Sequence, residues 1–105
     1  MLSIKFTSCY PNGTRLNNQI AKIAEEYSEV MLADTHRRCN GEWEDLFHEL
    51  LDLSQVAVGA MEILLDDNCR GNQNIKYEIL DRLLEEHQQK LRSRRKEWCG
   101  DNGGD

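Results

Sequence analysis

The chain has one proline in 105 residues, and of its seven glycines only Gly59 falls inside a periodic segment. Long stretches therefore carry nothing that breaks a helix. Basic residues are also in short supply. Thirteen Lys and Arg against nineteen Asp and Glu leave a net charge of −6. This balance argues against a general nucleic-acid binder, whose footprint is basic overall. There is no Cys-x-x-Cys pair, which argues against a zinc knuckle, and the three histidines have no His-x-x-x-His spacing. Cys9, Cys39, Cys69 and Cys99 are evenly spaced, but the segments between them share no sequence, so the spacing is not a repeat. Free thiols in a reducing compartment are expected. Met1 to Phe6 has no basic stretch followed by an apolar core, so nothing there resembles a secretion signal. A cytoplasmic protein is expected.

The chain does carry helical periodicity. Pro11-Asn12-Gly13 is a turn signal. After it, Leu16, Ile20, Ile23, Ala24, Tyr27, Val30 and Met31 recur at intervals of three and four, predicting a helix from about Thr14 to Ala33. Asp34 to Gly41 reads as a polar link. A second helix is expected over Glu42 to Asp66, apolar on most of its circumference from Leu46 to Leu65. Glu49, Asp52 and Glu62 exclude it as a membrane span. A helix of that kind is buried on several sides. In so small a protein it is expected to be central and shared with another subunit. Asn68 to Asn74 reads as a loop. A third helix, Ile75 to Trp98, has a narrower apolar stripe, and the tail over residues 100–105 is expected to be disordered. The predicted fold is all-α: three main helices in a single domain over residues 1–99, forming a bundle completed by oligomerisation.

Two acidic clusters stand out. The first helix carries Glu25, Glu26 and Glu29, and the second carries Glu49 and Asp52. Glu26 with Glu29, and Glu49 with Asp52, lie three residues apart and so share a face. Glu26 falls beside Ile23 and Val30 at the edge of the apolar stripe, whereas Glu25 points towards solvent. Glu49 and Asp52 fall on the side of Val56, Ala60 and Ile63, which predicts that they are buried. Carboxylates in such a place need protons, basic partners or metal. If the two helices pack antiparallel, the pairs face each other. Four such carboxylates suit Mg²⁺ or Mn²⁺, with water and phosphate oxygens completing the shell. The structural alternative is an ordinary solvated face for the first cluster and salt bridges from Lys22, Arg37 or Arg38 to the second.

The arrangement Glu25-Glu26-x-x-Glu29, a spacer, then Glu49-x-x-Asp52 resembles the MazG-like branch of the all-α nucleoside triphosphate pyrophosphohydrolases. The flanks Gln19 to Ala24 and Glu44 to His48, the apolar run Leu53 to Leu65, and His87-x-x-Lys90-x-x-x-Arg94 resemble the same family. The resemblance spans roughly residues 17–65 and 84–95. His48 departs from it, standing where related sequences often place an acid or a lysine.

The resemblance implies that Glu26, Glu29, Glu49 and Asp52 are metal ligands and that Glu25 supports the site or orients water. It gives Lys90 and Arg94 to phosphate oxygens, with reach across a subunit boundary, and Asn18 to the base or sugar. It also implies hydrolysis of nucleoside or deoxynucleoside triphosphates to monophosphate and pyrophosphate by a homodimer or homotetramer. Water would attack the α-phosphorus, with Glu29 or Glu25 accepting its proton. The competing reading is a non-enzymatic helical interaction module whose acids form salt bridges. Trp43 and Tyr27 have two readings as well: stacking on a base, or core and interface packing. Lys90 to Lys96 is rich in cations. It reads either as a phosphate-binding segment or as a solvated helix end whose charges suit the dipole.

Overall fold

The computed structural model describes residues 2–7, 10 and 13–99. The proposed turn at Pro11-Asn12 and the expected disordered tail lie outside the described residues. The fold is all-α: α1 is Leu16–Asn40, α2 is Glu44–Cys69 and α3 is Gln73–Cys99, with no strand among the described residues. None of these helices is long and apolar enough to cross a membrane. The chain divides into two compact units, Met1–Leu64 and Leu65–Asp105.

Helix α1 runs through the expected polar link. Asp34 accepts hydrogen bonds from Arg37 Nε at 3.0 Å and Arg37 Nη2 at 2.7 Å, and it pairs with Arg38 at 3.0 Å. These contacts at three and four residues support another helical turn. The Arg37 hydrogen bonds and the charges of both arginines hold the Asp34 carboxyl below its ordinary range. The helix stops at Gly41, whose φ of 77° is left-handed and whose N–H donates to Arg37 O at 2.7 Å. The loop before α3 is likewise shorter than expected. Asn72 Oδ1 accepts the Ile75 N–H at 3.2 Å as a helix cap, and Lys76 bonds Asp66 at 2.6 Å across the turn.

In the first unit, α1 and α2 form an antiparallel hairpin. Early α1 meets the middle of α2, as Gln19 Nε2 donates to Val56 O at 3.1 Å. Late α1 meets early α2, as His36 and Asp45 line one cleft. The less exposed positions of α1 include Leu16, Gln19, Ile23, Glu26, Val30, Ala33 and Arg37, at alternating intervals of three and four, with Asp34 beside Ala33. Those of α2 include Leu46, Glu49, Leu53, Val56, Ala60 and Ile63, with the same alternation. This is the spacing of two helices packed along a seam.

The seam contains one buried polar group that the sequence reading did not identify. Gln19 is 4% exposed, and it fits because Gly59 has no side chain. A Cβ at Gly59 would stand 2.6 Å from Gln19 Nε2. Gly59→Ala is therefore expected to destabilise the protein by about 1 kcal/mol net. Losing the buried amide's bond costs roughly 1–3 kcal/mol, which exceeds the helix-propensity gain of about 1 kcal/mol. In a Gln19→Ala background the same change should turn neutral or stabilising. Chemical denaturation of the four proteins in this cycle measures the coupling, and Gly59→Ala stabilising the wild-type background would contradict the packing.

The burial expected for α2 needs correction. Residues 55–60 are all buried or half-buried, but towards both ends the helix keeps an uncovered side: Phe47, Leu50, Met61 and Leu64 are exposed. Asp52 is exposed and Glu49 only half-buried, not the buried pair expected. The geometry explains the difference. Glu49 occupies a seam position, while Asp52 lies about 60° round the helix from it and flanks the seam.

Candidate functional site

Antiparallel pairing places the acids of α1 opposite those of α2, midway along the hairpin. Glu26, Glu49 and Asp52 each present a carboxylate oxygen, and the three oxygens lie within 4.8 Å of one another. Glu26 and Glu49 are half-buried on the two seams, and Asp52 stands at the solvent edge. Two seam positions that would otherwise hold apolar residues thus hold carboxylates.

Among the described residues, no lysine or arginine pairs with Glu26, Glu29, Glu49 or Asp52. Of the three expected competitors, Arg37 and Arg38 both bind Asp34, and Lys22 is exposed and forms no ion pair with these acids. Partial desolvation pushes the Glu49 carboxyl above its ordinary range, and repulsion from Asp52, Glu29, Glu26 and Asp45 adds to the effect.

Glu29 does not join the three-oxygen group. It lies one turn further along α1 and lines an adjoining cleft of about 180 Å³ with Leu32, Ala33, His36, Asp45 and Glu49. Sequence reasoning did not place Asp45 at the site, and it left His36 open between a substrate-contacting loop and plain surface. The signal was helical phase. His36 lies two turns beyond Glu29, and Asp45 lies one turn before Glu49, so each shares the face of an acid already singled out. Asp45 also suits the positive end of α2, whose first turn it occupies.

The remaining candidates lie outside this cluster. Glu25 is exposed. Asn18 is exposed in the first turn of α1, about 12 Å along the axis from Glu26. Lys90 and Arg94 lie on α3 in the second unit and are exposed, and the Arg94 guanidinium sits 6.0 Å from the centre of the Trp98 ring. Neither Tyr27, at 57% exposure, nor Trp43, at 60%, belongs to a core in this chain. Trp43 meets Phe47 edge to face at 6.4 Å, and with Glu44 and His48 these rings line a recess of about 300 Å³.

The donor chemistry is hard and anionic. Three carboxylates without a basic partner suit a small oxygen-seeking dication and offer nothing to a soft metal. No protein-family model matches the chain, and neither a curated protein nor a solved structure does.

Proposed function

We propose that this protein is a Mg²⁺-dependent nucleoside triphosphate pyrophosphohydrolase that converts ribo- or deoxynucleoside triphosphates to the monophosphate and pyrophosphate. Mn²⁺ is the second metal of this reading, and clearance of surplus or noncanonical nucleotides in the cytoplasm is the role. One observation carries it. Glu26, Glu49 and Asp52 converge across the hairpin within 4.8 Å, and among the described residues no lysine or arginine forms an ion pair with them. An arrangement held together by salt bridges would have brought Lys22, Arg37 or Arg38 into the cluster, but Lys22 pairs with none of these acids and both arginines bind Asp34.

In this reading Glu26, Glu49 and Asp52 hold the ion. A dication there supplies positive charge for the triphosphate oxygens and acidity for water. Glu29 lines the adjoining cleft. It is the better placed of the two proposed bases to take the proton from the attacking water. Glu25 keeps the supporting role that the resemblance implies. Lys90 and Arg94 are assigned to the phosphate oxygens and Asn18 to the base or sugar, both on the resemblance alone.

The working form is a homodimer or homotetramer. Each hairpin helix carries a second apolar row, uncovered in the single chain. On α1 it includes Ile20, Tyr27 and Met31, and on α2 Phe47, Leu50, Met61 and Leu64, all exposed. Two hairpins joined through these rows would complete a four-helix core.

The test is pyrophosphate release across a panel of ribo- and deoxynucleoside triphosphates with Mg²⁺, with Mn²⁺ and with chelator. Metal-dependent release of pyrophosphate with the nucleoside monophosphate as co-product is expected. Absence of turnover across the panel with either metal would sink the reading, and phosphate in place of pyrophosphate would assign attack to the wrong phosphorus.

A further inference from the structure

We infer that α3 pairs with α3 of a second copy of this chain, antiparallel, so that the acidic half of each helix lies against the basic half of the other. The inference names one surface of the self-association proposed above and does not depend on hydrolysis.

The first observation is an apolar row with no cover. Tyr77, Leu80, Leu84, His87, Leu91, Arg94 and Trp98 follow one another at intervals of three and four, the spacing of a helix-pair seam. Tyr77, Leu84, Leu91 and Trp98 on that row are all exposed, and every residue from 81 to 98 is exposed. Among the described residues of the second unit, Cys69 is the one buried hydrophobic residue. A helix of 27 residues with one uncovered apolar row needs a partner of comparable length.

The second observation selects the partner. Charge on α3 is segregated by position. In the first half, Glu78, Asp81, Glu85 and Glu86 outnumber Lys76 and Arg82. In the second, five cations from Lys90 to Lys96 face only Glu97. A parallel pair would set acid beside acid and base beside base. An antiparallel pair sets opposite charges together at both ends, so the helix is complementary to its own reverse. The symmetry point falls near His87, at the middle of the row, which brings Leu84 of one copy near Leu91 of the other. Intrahelical pairs such as Arg92 with Glu85 at 3.0 Å and Arg82 with Glu86 at 3.4 Å are exposed, and exposed pairs contribute little. They do not prevent an exchange of partners.

Zero-length carbodiimide cross-linking of an equal mixture of isotopically heavy and light full-length Arg95→Lys chains tests the inference. Asp81 and Arg95 flank the row on the same side and stand roughly 21 Å apart along one helix. Neither a single helix nor a parallel pair brings them together, whereas the antiparallel pair sets position 95 of one copy beside Asp81 of the other. The expected product is a mixed-isotope peptide joining position 95 to Asp81, lost when Leu84→Asp/Leu91→Asp is added. If that variant loses helicity by circular dichroism, about 0.5 M salt is the second probe, and the yield must fall as exposed charges are screened. Absence of that link, or its persistence under both treatments, overturns the inference. Mixed-isotope links confined to residues of α1 and α2 remove the α3 pair but leave the hairpin association standing. Binding to anionic vesicles or a single-stranded oligonucleotide, with no α3 link, assigns the basic half to a polyanion and equally overturns it.

Discussion

Glu49→Ala and Asp52→Ala are each expected to lower Mg²⁺-dependent pyrophosphate release by roughly 100- to 1000-fold, the scale of losing one preorganised electrostatic group at a reacting centre. Each removes one of only three oxygens gathered within 4.8 Å. Neither side chain is an ion-pair partner of a lysine or arginine among the described residues, so neither substitution orphans a buried cation. Glu49→Ala also relieves the repulsion and desolvation that push that carboxyl up, so the metal-free variant should unfold at the wild-type temperature or slightly above it. The interaction-module reading expects the same stability result with no turnover in any of the proteins, which makes activity the deciding readout. Asp67→Ala, an exposed acid of α2 outside the cluster, controls for net charge and should leave turnover unchanged. Equal loss in Asp67→Ala, or full activity in both cluster variants, would remove the metal site from the mechanism.

Sequence periodicity carried the three helices and their order because each apolar row repeats at three and four over several turns. It was weaker at the ends. Asp34 to Asn40 looks like a link by composition, yet Asp34 is placed to bind Arg37 and Arg38 on the same face, so the polar segment continues the helix to its glycine stop. The acids of the site were legible for a related reason. Glu26 and Glu49 fall in phase with apolar neighbours, where a carboxylate is costly, so their positions were informative before any packing was known. Asp52 was harder, because a residue three places along is displaced round the helix from its neighbour. Small displacements of that kind decide between seam and edge. Gln19 and Gly59 were not legible at all. A polar side chain becomes a seam residue only when the helix opposite leaves room for it, and that depends on register between two segments far apart in sequence. Phe47, Leu50, Met61 and Leu64 were read correctly as apolar, but the first unit covers α2 all round only at residues 55–60 and leaves these four exposed. Hydrophobicity marks a surface that wants cover and does not say which molecule provides it.

Mg²⁺ or Mn²⁺ is expected to raise the unfolding temperature of the wild-type protein, on the order of 10 °C at a hundredfold excess over the dissociation constant. The increment should grow with pH. Glu49 has a raised folded-state pKa, so the metal-free folded protein holds that proton more tightly than the unfolded chain does. Its contribution is therefore favourable below the ordinary value of 4.5 and is lost as pH rises through the raised range above it. A bound dication reverses the preference, because it competes with that proton for the same oxygen. The two stability curves should lie close together at acidic pH and separate as Glu49 ionises, with the metal-free curve falling and the metal-loaded curve held up. Glu49→Gln should flatten this part of the metal-free curve and remove most of the metal-induced increment. Calorimetric unfolding across this pH range, with and without metal, measures both effects. An increment that stayed constant with pH, or that sodium chloride at matched ionic strength reproduced, would reduce the effect to screening of an acidic surface. In that case Glu26, Glu49 and Asp52 would be neighbours without a shared ion.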